Sequence, residues 1–334
     1  MEKNTMLSAR ILEAGSLMHR PYVRRLIQLC RGMILLLILW TAGAPVFSQD
    51  SSPPTTAENT PPPVHGDTDV QNSIPIPAPS PVTIMEEQLL AAGYAVFRDE
   101  SIPRAVTALN RSREALDELA GRVTKDHPVV SYYESRIMLN RGFVLMSSGD
   151  NREAQSFLET SIRLSEDALE QIEEDLRSMS LENWEHELSI PALPAGREIH
   201  SDLWRVLSDS YMYLFNFKGT LYQMSNGAKL RDYPRKALEL NPGNLRALLS
   251  RGLFFINAPA IGGGNNGRGI DLLKQLASSG NELLAFQAYA WIGSAQLENG
   301  NGQEAEEAFH AAQRIFPGTA WVAGLRRGER SQGR

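Results

Sequence analysis

Residues 289–317 read YAWIGSAQLENGNGQEAEEAFHAAQRIFP, and this stretch decides the fold. Gly293 in its first half and Ala305 in its second half are small, so two helices could approach each other closely there. Phe309, one helical turn after Ala305, would fill the groove beside them. Pro317 ends the second helix, because proline cannot donate to the helical ladder. The stretch therefore predicts two antiparallel helices joined by a short glycine-rich turn.

The order of small, large and helix-ending residues in this stretch resembles the tetratricopeptide repeat, a helix–turn–helix unit of about 34 residues. The resemblance rests on these positions: Tyr289, Ile292, Gly293, Gln296, Ala305, Phe309, Ala312 and Pro317. It implies an all-α fold, a right-handed superhelix of stacked antiparallel helix pairs. It also implies a scaffold whose curved surface binds proteins or peptides without catalysis.

A fixed interval from glycine to alanine recurs along the chain. Twelve residues separate Gly293 from Ala305. The same interval separates two earlier pairs, Gly93 from Ala105 and Gly142 from Ala154. A further unit opens at Leu245, with Gly252 at the small position of its first helix. Because helical apolar patterns surround these positions, we expect repeats of this type over residues 83–322.

The unit that opens at Leu245 has a turn about five residues longer than the repeat allows, and residues 262–269 within it are rich in glycine. A phosphate-binding loop needs a lysine followed by serine or threonine at the start of the next helix. Here Arg268 is followed by Gly269 and Ile270, so a nucleotide site is not indicated. The segment predicts either a crossover between two helices or a loop that contacts a partner. The candidate partner contacts in it are Asn265, Asn266 and Arg268.

Residues 203–217 predict a helix rich in aromatic side chains, and residues 220–240 predict the helix that follows it. Most large side chains of the first helix recur at core spacing: Trp204, Leu207, Tyr211, Leu214 and Phe215. Met212, Tyr213 and Phe217 fall partly outside that stripe. These three residues are candidate partner contacts on the concave surface of the superhelix, and packing in the core is the alternative.

Acidic residues cluster in residues 161–187, which predict an extended helix. A glycosidase places two carboxylates across a cleft, whereas successive acids along one helix are typical of a solvated face. His186 lies in the segment WEHE, which is similar to part of a zinc-binding helix, but Ile190 occupies the place of the second histidine. The sequence therefore predicts no catalytic residue, no metal site and no cofactor.

The first 48 residues predict an export signal. Basic residues precede the apolar run Met33–Trp40, which is shorter than the about 20 residues that a membrane-spanning helix needs. Small residues before Gln49 suit cleavage, so Gln49 is the predicted start of an exported periplasmic or cell-envelope protein. An uncleaved anchor, which would be the protein's contact with a membrane, is the alternative. Met18 is an alternative to Met1 as the first residue.

Cys30 is the one cysteine of the sequence, and it precedes the apolar run. Removal of the signal would leave no thiol. Disulfides, cysteine nucleophiles and thiolate metal sites are then excluded together.

Two segments flank the predicted repeats. Residues 49–82 alternate proline with serine, threonine and alanine, which predicts a disordered linker. Residues 323–334 are basic and polar, which predicts a flexible tail.

The charge of the chain bears on its partners. After residue 48 it carries 27 basic and 37 acidic residues, a formal charge of −10. Phosphate binding needs clustered lysine and arginine, so a nucleic-acid partner is not expected.

Two functions follow from these patterns. The first is an exported, non-catalytic scaffold that binds a protein or peptide on its concave surface. The second is suggested by similarity to the T-component helper proteins of TRAP-type transporters, which are helical, use degenerate repeats of this kind and assist ligand uptake beside a periplasmic binding protein. Such a helper would bind a ligand or its solute-binding protein. The sequence does not indicate an oligomeric state.

Overall fold

The computed structural model describes residues 79–123, 127–179, 183, 190 and 192–328. Eleven α-helices and no strand lie within these residues, so the predicted all-α fold is confirmed. The helices are α1 (Pro81–Phe97), α2 (Ile102–Ala120), α3 (Pro128–Ser148), α4 (Asn151–Ser178), α5 (Gly196–Leu214), α6 (Thr220–Leu240), α7 (Leu245–Asn257), α8 (Asn266–Ala277), α9 (Glu282–Glu298), α10 (Gly302–Ile315) and α11 (Ala320–Arg326). The predicted signal peptide and nearly all of the predicted linker lie outside the described residues.

Side-chain caps begin several helices where the sequence supplies serine, aspartate or asparagine. The backbone N–H of Thr83 donates to the Ser80 hydroxyl at 3.1 Å, and Pro81 occupies the first helical position of α1. A cap satisfies a helical donor, and proline has no donor to lose at this position. Similar caps begin further helices: Asp150 for α4, Asn244 for α7, Asn265 for α8 and Asn281 for α9. Local sequence therefore sets where these helices begin.

Consecutive helices pack as five antiparallel pairs: α1 with α2, α3 with α4, α5 with α6, α7 with α8, and α9 with α10. The second helix of each of the first four pairs also packs against the first helix of the next pair. The last helix, α11, packs against both α9 and α10. This sequential packing is that of a helical repeat solenoid. None of the described helices is long and apolar enough to cross a membrane.

The small residues of the repeat lie where paired helices touch. A Cβ atom added to Gly293 would lie 2.6 Å from Cε1 of Phe309, and one added to Gly142 would lie 2.8 Å from Cγ of Leu158. Both distances are too short for non-bonded carbon atoms, so a Cβ atom at either position would force the neighbouring side chain to move. The other repeat positions within the helices are buried as well: Gly93, Ala105, Ala154, Gly252, Ala305 and Ala312. Pro317 follows the end of α10.

The middle of the chain holds the less regular elements. The helix α6 covers the residues predicted for it, whereas α5 ends at Leu214, so Phe217 lies beyond it. Residues 180–182 and 184–187 of the predicted acidic helix lie outside the described residues, and residues 161–178 belong to α4, which ends at Ser178. Its acidic side chains are exposed, as expected of a solvated face: Glu166, Asp167, Glu170, Glu173 and Glu174.

The two ends of the folded part differ from the sequence prediction. The first helix begins at Pro81 and buries Val82 completely, so the repeats begin before residue 83. At the other end Leu325 lies in α11 and is 1% exposed, although residues 323–334 were predicted as a tail. The prediction was wrong here because Leu325 shares a helix face with the buried Val322 and packs into the core.

The first and last pairs of the solenoid meet. The ring of Phe97, at the end of α1, lies 5.9 Å from that of Phe286 in α9 and 5.1 Å from that of Trp321 in α11. The Tyr94 hydroxyl donates to Glu282 at 3.2 Å. The end of α1 lies beside the start of α9, so these two helices are shifted relative to each other along the axis of the solenoid. The end of α1 therefore contacts both α9 and α11 at the other end of the solenoid.

Closure fills the interior of this superhelix. The ring of Phe143 in α3 lies 6.4 Å from Phe97 and 5.9 Å from Tyr213 in α5. Eleven of the 13 residues of α7 are buried, against four of the 12 residues of α8. The first helix of the fourth pair, α7, is thus surrounded by protein on nearly all sides. The predicted concave groove is occupied by the protein's own side chains.

Candidate functional site

A layer of buried charged residues crosses the interior. Arg136 in α3 donates two hydrogen bonds to Glu86 in α1, at 2.6 and 2.7 Å. The Arg136 side chain is 2% exposed, and its guanidinium carbon lies 4.8 and 4.9 Å from the ring centres of Tyr132 and Tyr133. This bidentate ion pair beside two aromatic rings ties the first helix pair to the second.

The charged layer continues into α5 and α7. Asp202 lies 3.7 Å from Nε of Arg136 and accepts a hydrogen bond from Arg205 at 2.7 Å. The fully buried Arg205 also donates to Asp209 at 3.1 Å. The Ser250 hydroxyl donates to Asp209 at 2.7 Å. The layer therefore links the first helices of four consecutive pairs.

Burial and neighbouring charges oppose each other in this layer. Burial raises the pKa of Asp202, but the charges of Arg205 and Arg136 outweigh burial and hold that pKa well below its usual range. Burial raises the pKa of Asp209, although Arg205 opposes this. Burial, together with the charge of Arg205, lowers the pKa of Arg246 in α7. Burial thus disfavours the charged forms of Asp209 and Arg246, whereas at Asp202 the neighbouring arginines outweigh burial.

The formal charges of the layer balance. Its carboxylates are Glu86, Asp202 and Asp209, and its guanidinium groups are Arg136, Arg205 and Arg246. A hydrolase would need one carboxyl group poised to release a proton to a substrate, whereas these carboxylates contact arginines of the same layer. Structural ion-pair networks perturb pKa values as active sites do. We therefore interpret the layer as part of the packing between pairs.

The structure buries two of the three partner contacts predicted in the aromatic segment. Met212 and Tyr213 are each 1% exposed, so the prediction that they contact a partner is corrected to packing in the core. The physical reason is packing between pairs: the ring of Tyr213, outside the main apolar stripe, lies 5.9 Å from that of Phe143 in α3. Phe217 is partly buried against the same core.

The long turn between α7 and α8 lies on the outside of the molecule. It contains a short 3₁₀ helix, Ala260–Gly262. The backbone N–H of Asn265 donates to the carbonyl of Phe255 at 2.8 Å, which ties the turn to α7. Ile261 is 97% exposed. The turn thus presents an apolar side chain on a fixed backbone.

The three predicted contacts in this turn have different surroundings. The Asn265 side chain caps α8 by accepting from the backbone N–H of Arg268 at 3.0 Å. The Asn266 side chain donates to Asn299 at 2.8 Å, which joins the turn to the end of α9. The exposed Arg268 lies with its guanidinium carbon 4.4 Å from the ring centre of Phe255. Of Asn265, Asn266 and Arg268, it is Arg268 whose guanidinium N–H groups are available to a partner.

Two of the described histidines, His127 and His200, have structural surroundings, whereas His310 is exposed beside Glu306. Nδ1 of His127 accepts from the backbone N–H of Val129 at 3.2 Å and so caps α3. Burial lowers the pKa of His200 in α5. Within the described residues, no three potential ligands lie close enough together to hold a metal ion. His186 lies outside the described residues.

Five stacked helix pairs define a helical repeat protein, a class whose members act by binding. The family model of the tetratricopeptide repeat matches residues 135–167, which cover most of α3 and the first part of α4. This match supports a repeat protein of the tetratricopeptide type, and such repeats generally mediate protein–protein interactions. No curated protein and no solved structure matches the chain.

Proposed function

We propose that the protein is an exported, non-catalytic scaffold that binds a protein or peptide partner at the turn between α7 and α8. The repeat fold supports a binding function, and the filled interior directs binding to the outer surface. The observation that carries the proposal is the exposure of Ile261, 97%, on a turn whose backbone is tied to α7. An exposed apolar side chain on a fixed backbone suits a protein contact.

The neighbouring surface of α6 also suits a protein partner. Cδ of Arg231 in α6 lies 4.0 Å from the position that a Cβ atom added to Gly263 in the turn would occupy. Nearer its start, α6 exposes two large apolar side chains, Leu221 at 83% and Met224 at 78%. Apolar contacts are thus available on more than one element of this outer surface.

Site-specific crosslinking tests where the partner binds. A photoreactive amino acid is placed at position 261 of the full-length chain, and in the control it replaces the exposed Gln303 in α10. We expect a specific crosslinked partner from position 261 and none from position 303. Equal products from both positions, or none from either, would contradict the proposal.

Export and the alternative function have separate tests. N-terminal sequencing of the mature protein should find Gln49 first, and an intact N-terminus would mean that the signal is an anchor. The TRAP helper function stays a prediction from the sequence. A neighbouring gene for a solute-binding protein would favour it, and the absence of such a gene would count against it.

A further inference from the structure

The ring of Phe255, near the end of α7, contacts two guanidinium groups. The guanidinium carbon of Arg268 in α8 lies 4.4 Å from the ring centre, and that of Arg251, one turn earlier in α7, lies 6.0 Å from it. Phe255 is 8% exposed, so the ring is held in the core. Arginine packed on an aromatic ring keeps the N–H groups at its edge available for hydrogen bonds.

Neither arginine forms an ion pair or a side-chain hydrogen bond within the part of the chain that the structure describes, although the charge of Glu239 in α6 acts on Arg251 from farther away. Burial lowers the pKa of Arg251, and the positive charges of Arg268 and Arg235 lower it further. Arg235, in α6, is already paired with Glu239 at 2.7 Å. Three helices thus bring like charges together, an arrangement that an incoming anion would stabilise.

The surroundings of the arginine pair favour an acidic peptide over an anionic membrane. The pair lies outside the filled interior, at the edge where α6, α7 and α8 meet beside the turn that carries Ile261. The chain after residue 48 has a formal charge of −10, so an anionic membrane would repel most of the body. A short flexible peptide segment can instead contact the edge formed by α6, α7 and α8 without approaching the acidic remainder of the protein. Carboxylates match the two parallel donors of a guanidinium group.

We propose that Arg251 and Arg268 form the binding site for a carboxylate-rich segment of the partner protein. The proposal rests on the scaffold function proposed above and names the chemistry of its partner. The guanidinium groups donate hydrogen bonds to aspartate or glutamate side chains of the segment. Ile261, on the adjoining turn, contacts its apolar residues.

A defined peptide tests this site directly. The probe is a fluorescein-labelled hexaglutamate peptide, and its binding to the full-length protein is followed by fluorescence anisotropy. We expect saturable binding that weakens with added salt, and no binding of a labelled hexaglutamine peptide. Arg251→Gln and Arg268→Gln should each weaken binding about threefold to tenfold.

Two matched variants control for the loss of one positive charge. Lys274→Gln removes an exposed charge from α8, and Arg111→Gln removes one from α2. Both should bind hexaglutamate as the unaltered protein does. Circular dichroism should show that all four variants are folded. Absence of binding, or equal binding by all variants, would overturn the proposal.

Two further measurements separate this site from its rivals. Vesicles of phosphatidylserine should not retain the protein, and retention that depends on Arg251 and Arg268 would assign the site to a membrane instead. Crosslinking at position 261 is repeated in the Arg251→Gln/Arg268→Gln variant. An undiminished crosslink yield in this variant would contradict the arginine site but not the proposed scaffold function. Absence of a crosslink in the unaltered chain would contradict the scaffold function itself.

Discussion

Gly293 lies so close to Phe309 that an added methyl group would force the helices of the last pair apart. We expect Gly293→Ala to lower the free energy of unfolding by about 1–3 kcal/mol, the usual cost of overpacking. Urea unfolding measures this change. Gly302→Ala is the matched control, because no atom lies within 4 Å of the added Cβ at the start of α10. The control should lose no stability, and equal losses in both variants would contradict the prediction.

Asp202 gives the stability a defined pH dependence. Burial raises its pKa, but the charges of Arg205 and Arg136 outweigh burial, so the folded-state pKa lies below the unfolded value of about 4. Its ionised form therefore contributes stability above about pH 4, and this contribution is lost as the pH falls through the folded-state pKa. Asp202→Asn should lower the free energy of unfolding by about 3–5 kcal/mol at neutral pH.

The difference between Asp202→Asn and the unaltered protein should shrink below about pH 4, which urea unfolding across the pH range measures. Asp167→Asn is the control, since this carboxylate is 58% exposed and pairs with Arg163 on the surface. Its effect should stay below about 1 kcal/mol. A pH-independent difference for Asp202→Asn would contradict the assignment.

The sequence predicted contacts within pairs better than contacts between them. Gly293 and Phe309 belong to one helix–turn–helix unit, so their spacing alone suggests that they meet. Glu86 and Arg136 lie 50 residues apart, and charged residues on helices are ordinarily solvated, so the charged layer was missed. The available signal was the position of Arg136 directly before the buried Ile137, within a stretch of core residues.

At the scale of the elements, α11 is the helix most at odds with its sequence prediction. It buries Val322 and Leu325, and its Trp321 ring lies 5.3 Å from that of Phe286. Truncation after Thr319 should lower the free energy of unfolding by at least about 3 kcal/mol, because several large buried side chains are lost. Truncation after Gly328 is the control and should change nothing measurable in thermal unfolding. Equal melting temperatures for the two truncations would show that α11 does not contribute.

Helix boundaries were predictable where the chain carries local signals. The sequence Asn-Pro-Gly follows α6 at residues 241–243, and the predicted end of that helix agrees with the structure. The start of α5 has no such signal, because Ala195 cannot cap it with a side chain. Glu198 accepts from the Ala195 backbone N–H at 3.2 Å instead, so the helix begins at Gly196, before the predicted residue 203.

At the scale of the whole molecule, closure couples residues that an open solenoid would keep apart. The aromatic contact between Phe97 and Trp321 should give a coupling of about 0.5–1.5 kcal/mol in a double-mutant cycle of Phe97→Ala and Trp321→Ala. Urea unfolding of the four proteins measures it. The control cycle pairs Phe97→Ala with Phe255→Ala, which should be additive within about 0.5 kcal/mol. Additivity in both cycles would mean that the ends do not meet.

Repeat resemblance could predict the pairs but not this closure. Each pair is specified by residues within one unit, whereas closure depends on Phe97 and Trp321, which lie at opposite ends of the folded part. The sequence around either residue does not indicate that the two side chains contact each other. For the same reason the sequence predicted an open concave surface, and Met212 and Tyr213 were placed on it.

Closure also has a consequence for the newly made chain. The bond in which the Ala320 backbone N–H donates to Glu100 spans 220 residues. At the usual rates of translation, about 5–20 residues per second, roughly 10–45 seconds separate the synthesis of its two ends. Until α9 and α11 emerge, the ring of Phe97 at the end of α1 has only Phe143 of α3 beside it among these aromatic contacts. We therefore expect the nascent chain to need a chaperone at that end, and the need to vanish once synthesis is complete.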